Sequence, residues 1–367
     1  MGSDVVLVIV VVTALAFDFT NGFHDTANAI ATSVSTRAMA PKVAVLLAAA
    51  LNFAGAFISL KVAATIGSGI VESGAVTTTV VFAGLVGAIA WNLATWYFGL
   101  PSSSSHALIG GLVGAAFVAS GPSAIQGSGL VEKVIVPGLV APVLAFIVAG
   151  VAILCAYRIV GRLRPGPVNR SYRLGQLVSG SMFSLAHGTN DAQKTMGIIT
   201  LALIAHGNLP SDSFDVPTWV IVSSAAAIGL GTYTGGWRII RTMGSRIIKM
   251  DPAQGFSAQG SGAAVILVAT HLGYPLSTTH VISGGVMGSG AAKRLSAVRW
   301  GIAGNIAIAW VLTLPAAAII GGLVYAFSSI FGSGALGPMV VSLSILGVVL
   351  AFFGKRLARG QVLTADA

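Results

Sequence analysis

Residues 21–29 read NGFHDTANA, and residues 187–195 read HGTNDAQKT. In each, a glycine stands second and an aspartate fifth, with His24 before Asp25 and Asn190 before Asp191. Both stretches lie inside mostly apolar runs, 5–35 and 174–205. A charged side chain at the centre of a bilayer costs about 2.5–3.5 kcal/mol on insertion scales, so an intramembrane aspartate points to function.

The surroundings of the two stretches establish that lipid is the solvent. Of 367 residues, 55% are hydrophobic and only 8% charged, and mean hydropathy is +0.90. A soluble domain carries about a quarter charged residues. The chain is therefore expected to be an all-α integral membrane protein. Cys155 is the single cysteine, which excludes a disulfide framework and a cysteine-based metal site. The net charge of +10 does not indicate nucleic acid, because the basic residues form no patch with aromatic neighbours.

Apolar segments at 5–35, 43–64, 78–98, 134–157, 174–205, 217–236, 299–327 and 338–354 approach the roughly 20 residues that span a bilayer as helix. Two shorter glycine-rich segments, 102–118 and 276–291, each follow a proline and are read as half-hairpins, giving about 9–12 membrane segments in all. Because the first segment begins with Asp4 and runs into NGFHD, it is not read as a cleaved signal peptide. Seventeen of the 20 Lys and Arg fall in five clusters: Arg37 and Lys42; Arg158 to Arg173; Arg238 to Lys249; Lys293 to Arg299; and Lys355 to Arg359. The positive-inside rule makes these cytoplasmic, and the connections with Glu72, Glu132, Asp212, Asp215, Lys61 and Lys133 external. The N-terminus is then outside, the C-terminus cytoplasmic, and the protein expected in the cell inner (plasma) membrane. Segments 5–35 and 174–205 cross in opposite directions.

A second pair of motifs repeats in the same order. GLPSSSSHALIGG at 99–111 matches GYPLSTTHVISGG at 273–285, shifted by 174 residues, while the aspartate motifs are shifted by 166. Duplicated motifs in opposed orientations are the mark of an inverted-repeat transporter, with its site near the midplane. The expected organisation is a first repeat at 1–160, a short basic cytoplasmic linker at 161–173, a second repeat at 174–328, and a C-terminal helix and tail at 329–367.

Gly22 and Gly188, flanked by side chains that compete for backbone hydrogen bonds, predict broken helices at the two aspartates. Unwound backbone with Asp25, Asn28, Asn190 and Asp191 would make an oxygen-rich site for a small cation, while desolvation would equally suit the carboxyls to carry protons. His24 adds a group that titrates near neutrality. Asp18, one turn earlier and without a counterpart in the second half, is left between site and packing. Lys194 stands where the first repeat has Asn28; it is either a counter-ion to Asp191 or a tethered cation lending charge to an anion site.

The hydroxyl runs follow a proline and precede an apolar helix. They therefore fall at N-cap and first-turn positions, where backbone N–H groups and the helix dipole favour an anion. Ser103, Ser104, Ser105, Ser277, Thr278 and Thr279, brought together from opposite sides, would surround a tetrahedral oxyanion. His106 and His280 close these runs and are read as braces.

These residues resemble the PiT family of inorganic phosphate transporters, whose twin signature is roughly G-A-N-D-x-A-N-A, and the likeness extends over nearly the whole chain. The resemblance implies phosphate uptake coupled to a cation and no enzymatic activity. In it the hydroxyl hairpins hold phosphate, and Asp25 and Asp191 serve cation coupling; His24, Asn21, Asn28, Asn190 and Lys194 beside them are grouped with the same coupling site. His24 and Lys194 depart from the signature in the manner of the bacterial low-affinity branch, which implies proton symport and carriage of metal-phosphate complexes. Sodium at Asp25, Asn28, Asn190 and Asp191, or sulfate as cargo, are the alternatives; an intramembrane Ser105/His106 hydrolase is a distant one. The expected partners are phosphate, the coupling cation and the bilayer, with no cofactor and no nucleic acid. A homodimer is left open by small-residue faces such as Gly84-x-x-Gly87.

Overall fold

The structure, a computed structural model, describes residues 2–210, 213–332 and 334–358. Asp212, Arg359 and the rest of the C-terminal tail lie outside the described residues. The first half contains α1 (Gly2–Ser35), α2 (Pro41–Gly55), α3 (Lys61–Ser68), α4 (Thr78–Phe98), α5 (Ser104–Ser120), α6 (Gly127–Leu130) and α7 (Val136–Val160). The second contains α8 (Pro165–His206), α9 (Thr218–Thr234), α10 (Trp237–Arg241), α11 (Pro252–His271), α12 (Thr278–Lys293), α13 (Trp300–Ser329) and α14 (Leu336–Ala358). Among the described residues four helical stretches are long and apolar enough to cross a membrane: Asp4–Ser35, Thr78–Phe98, Gly127–Val160 and Trp300–Ser329. Leu139, Val143 and Ile147 of α7, with Val311, Ile319 and Leu323 of α13, expose their side chains broadly, as a lipid-facing belt requires.

The packing of the two halves is reciprocal. Helix α1 packs on α9 and α4, and α8 packs on α2 and α11; α5 packs on α13 while α12 packs on α7. Each half thus lends a long helix, α7 or α13, to the hairpin of the other. Helices α1 and α8 cross antiparallel, since Asn21 meets Asp191 and Asp25 meets His187. His206 at the end of α8 accordingly lies 3.6 Å from Asp4 at the start of α1.

The hairpins repeat in geometry as well as in sequence. Gly99 and Gly273 turn the chain at φ 65° and 82°, the left-handed region that glycine enters at little cost. Ser103 and Ser277 then cap α5 and α12, each accepting from the backbone N–H of the histidine three residues on, at 3.1 and 3.3 Å.

The expected helix breaks at the two aspartates need correction. Helices α1 and α8 run unbroken through Gly22 and Gly188. The reason is packing: a side chain at Gly22 would collide with the Ile228 carbonyl of α9, and one at Gly188 with the Asn52 carbonyl of α2. These glycines let helices touch, and the polar side chains beside them find partners across the interface instead of unwinding their own helix. The breaks occur at the hairpins and at 43–64, where α2 stops at Gly55 and α3 begins at Lys61. The stretch 161–173 is mostly the start of α8, after a turn at 161–164. The Gly84 and Gly87 face packs α4 onto Leu112 of α5 and Gly321 of α13, helix contacts of the kind such small-residue faces allow.

Candidate functional site

Both aspartate motifs and both hydroxyl motifs converge where α1 and α8 cross. Asp25 is 2% exposed and Asp191 is 0% exposed, and one ligand atom from each of Asp25, His187 and Asp191 lies within 4.8 Å of the others. The two halves therefore share one site. Two carboxylates and an imidazole at that spacing are the ligand types of a metal site.

His187, not among the candidate site residues of the sequence, has its ring edge beside both carboxylates. Its Nε2 is 3.5 Å from Asp191 Oδ2 and 3.9 Å from Asp25 Oδ2. Its Nδ1 lies 3.0 Å from Asn52 Oδ1, while Asn52 Nδ2 donates to Thr232 Oγ1 at 2.8 Å. The amide oxygen can only accept, so Nδ1 carries the hydrogen and Nε2 faces the carboxylates. The available signal was the spacing: His187 precedes Asp191 by four residues, as Asn21 precedes Asp25, which sets both pairs on one helix face.

Asp25 Oδ1 is 2.8 Å from His24 Nδ1 and accepts from Thr279 Oγ1 at 3.3 Å; Asp25 Oδ2 accepts from Thr278 Oγ1 at 3.5 Å. Asn28 donates to the same two hydroxyls, at 2.9 Å to Thr279 and 3.3 Å to Thr278. His24 Nε2 reaches the first hairpin at Thr95 Oγ1, 3.1 Å away, and Ser102 Oγ, 3.5 Å away. Helix α1 is thus bonded to both hairpins.

In the second half Lys194 is fully buried. Its ammonium donates to Asp191 Oδ1 at 2.6 Å and to the Leu276 carbonyl at 2.9 Å, just before the cap of α12. Asn190 donates to Thr270 Oγ1 and the Tyr274 carbonyl, at 2.7 and 3.1 Å. The side-chain oxygens of Asn21, Asn28 and Asn190 are buried without a hydrogen-bond partner, so they remain as acceptors for a cation.

Of the predicted anion-binding hydroxyls, Ser103 and Ser277 act as caps, Thr278 and Thr279 face Asp25, and Ser105 donates to the Leu276 carbonyl at 3.0 Å. Ser104 Oγ is buried without a partner. The His106 and His280 rings meet edge to face at 4.9 Å, and His280 lies over Trp310 at 4.1 Å with Nδ1 3.2 Å from the Gly138 carbonyl. The two rings thus pack against each other where the hairpins meet. The Ser105 hydroxyl is spent on a carbonyl, so it is not poised as a nucleophile against His106.

The model of the phosphate transporter family matches residues 21–167 and 163–321. The chain belongs to the phosphate transporter family. The family's chains are transporters, which excludes the hydrolase reading, and the expected PiT membership holds. A probable low-affinity inorganic phosphate transporter of Mycobacterium bovis is 54% identical over 326 residues, covering 89% of this chain and 78% of its own. Proteins with the same description from Rhizobium meliloti and Bacillus subtilis are 53% and 48% identical, covering 87% and 88% of this chain and 95% and 96% of theirs. A solved structure described as the sodium-dependent phosphate transporter is similar at a TM-score of 0.78 and 25% identity, covering 87% of this chain and 98% of its own. The chain is thus a membrane-embedded phosphate transporter of the PiT type.

Proposed function

We propose that this transporter takes up inorganic phosphate by proton symport, with the anion held between the first turns of α5 and α12. The observation that carries this reading is the direct contact between the Thr278 and Thr279 hydroxyls and Asp25. An anion that recruits these hydroxyls comes beside a carboxylate, and two like charges in a buried site repel strongly. A proton on the His24–Asp25 pair removes that conflict, so anion and proton load together. The same pairing suits the membrane potential, which opposes entry of each uncompensated negative charge by about 2.3 kcal/mol per 100 mV.

Lys194 supports the choice of proton. Its ammonium fills the position between Asp191 and the Leu276 carbonyl where a metal cation would otherwise find oxygen ligands. The unpartnered oxygens of Asn21, Asn28 and Asn190 favour a second reading, sodium coupling at Asp25, Asn28, Asn190 and Asp191. A divalent metal carried with phosphate would find ligands at Asp25, His187 and Asp191.

The site side chains are closed to solvent, so loading requires the halves to rock about the α1–α8 crossing, first to one side and then to the other. We place the protein in the cell inner membrane, with its N-terminus outside and its basic connections cytoplasmic. Repeats at 1–160 and 174–328 are the units that rock. A homodimer and sulfate as a competing anion belong to this reading as open variants.

Uptake of labelled phosphate by proteoliposomes carrying Asp25→Asn tests the proposal. It predicts loss of gradient-driven uptake in a protein that still folds, and near-normal driven uptake would overturn the role of Asp25.

A further inference from the structure

Three carboxylates are buried around the α1–α8 crossing, and two of them are satisfied. Asp191 has the Lys194 ammonium, and Asp25 has His24 and two hydroxyls. Asp18 is 0% exposed, and neither carboxyl oxygen makes a close hydrogen bond, with the Thr195 hydroxyl and the Asn21 amide as its polar neighbours and no cation of its own. It lies seven residues before Asp25 on the same face of α1, roughly 10 Å along the helix axis. The antiparallel register that sets Asn21 against Asp191 brings Asp18 level with Lys194 and Thr195 of α8.

The titratable and charged groups facing Asp18 are Asp191 and Lys194, both on α8. Helices α4 (Thr78–Phe98) and α9 (Thr218–Thr234), which also pack on α1, contain no Asp, Glu, Lys, Arg or His, nor do residues 336–348 of α14. The one nearby cation is already committed, because Lys194 donates to Asp191 and to the Leu276 carbonyl at the hairpin break. A buried carboxylate without a partner is the arrangement proteins avoid, whereas a neutral carboxyl is tolerated there.

We propose that Asp18 is a second proton-binding group of the transport cycle, separate from the phosphate site, and that it acts through Lys194. With a proton on Asp18, Lys194 belongs wholly to Asp191 and Leu276, and the second hairpin is held against α8. When that proton leaves, a second carboxylate competes for the same ammonium, and the hold on the Leu276 carbonyl weakens. Proton occupancy is thereby converted into movement of the hairpin that carries Ser277, Thr278 and Thr279. The inference rests on the proton-symport reading and adds to it a positioning residue that touches no anion.

The test compares wild type, Asp18→Asn and Asp18→Glu in proteoliposomes, with two transport readouts and one spectroscopic readout. Asp18→Asn is expected to retain phosphate exchange between equal phosphate pools at near wild-type rate. Its stimulation by an inward proton gradient is expected to fall by about tenfold or more, equivalent to about 1.4 kcal/mol of coupling, while Asp18→Glu retains it. Gradient stimulation that persists in Asp18→Asn overturns the proposal, as does loss of exchange and driven uptake together, which would mark a packing role. The infrared carbonyl band of a buried protonated carboxyl should be present in wild type and missing in Asp18→Asn. Identical spectra overturn the proposal whatever the transport result. If wild type shows no gradient response yet the band difference is present, proton symport fails while the proton on Asp18 stands.

Discussion

The Ser105 hydroxyl of the first hairpin donates to the Leu276 carbonyl of the second at 3.0 Å. Two helix N-termini from opposed halves are thus stitched together at the point where phosphate is proposed to bind, and the stitch uses the carbonyl that also holds Lys194. Removing the hydroxyl costs one neutral hydrogen bond, about 0.5–1.5 kcal/mol. Ser105→Ala is expected to unfold at nearly the wild-type temperature in detergent but to raise the phosphate KM several-fold. An unchanged KM would separate the stitch from the binding site.

The buried Lys194–Asp191 pair makes a non-additive prediction. Asp191→Asn strands an ammonium with the Leu276 carbonyl, and breaking a buried pair from one side costs about 3–5 kcal/mol. Thermal unfolding of Asp191→Asn should therefore show a large loss of stability, and the double variant with Lys194→Gln should recover much of it. Additive losses would mean the pair is not coupled in the way the geometry indicates.

His187 ties the site to α2 and α9 through Asn52 and Thr232. His187→Ala leaves the Asn52 oxygen without its donor, a loss of about 1–3 kcal/mol, and removes the group between the carboxylates. Driven phosphate uptake should fall more steeply than exchange between equal phosphate pools. Equal falls in both would make His187 a packing residue alone.

Gly22 and Gly188 are required for close approach, not for a helix break. A valine at Gly188 must displace the α2 backbone at Asn52, and overpacking of this kind costs about 1–3 kcal/mol or more. Gly188→Val should lower the unfolding temperature, and an alanine should do so less. If the glycine served a hinge, alanine would abolish transport while leaving stability unchanged.

Much of the architecture was legible because lipid demands long apolar helices and because two motifs recur in order. The segment read at 78–98 is α4 itself, and the matched Gly99 and Gly273, and Ser103 and Ser277, turned out to share turn and cap geometry. Local signals failed where the answer lay across an interface. The polar residues around Gly22 and Gly188 look like helix breakers in one dimension, but the Asn28 amide donates to a hydroxyl 250 residues away and Asp191 accepts from Lys194 on the same α8 face. The approach of His187 to Asp25 depends on the antiparallel register of α1 and α8, which no local pattern states. Ser103 and Ser277 carried both a capping and an anion-binding signal, and the structure shows the capping directly.

Protons acting through Asp25 and its neighbours are proposed to drive phosphate entry. The most direct measurement is labelled phosphate uptake into proteoliposomes with proton and sodium gradients imposed one at a time. Proton symport requires accumulation with an inward proton gradient alone, collapse on adding a protonophore, and no requirement for sodium. Accumulation that follows the sodium gradient and ignores the proton gradient would contradict it.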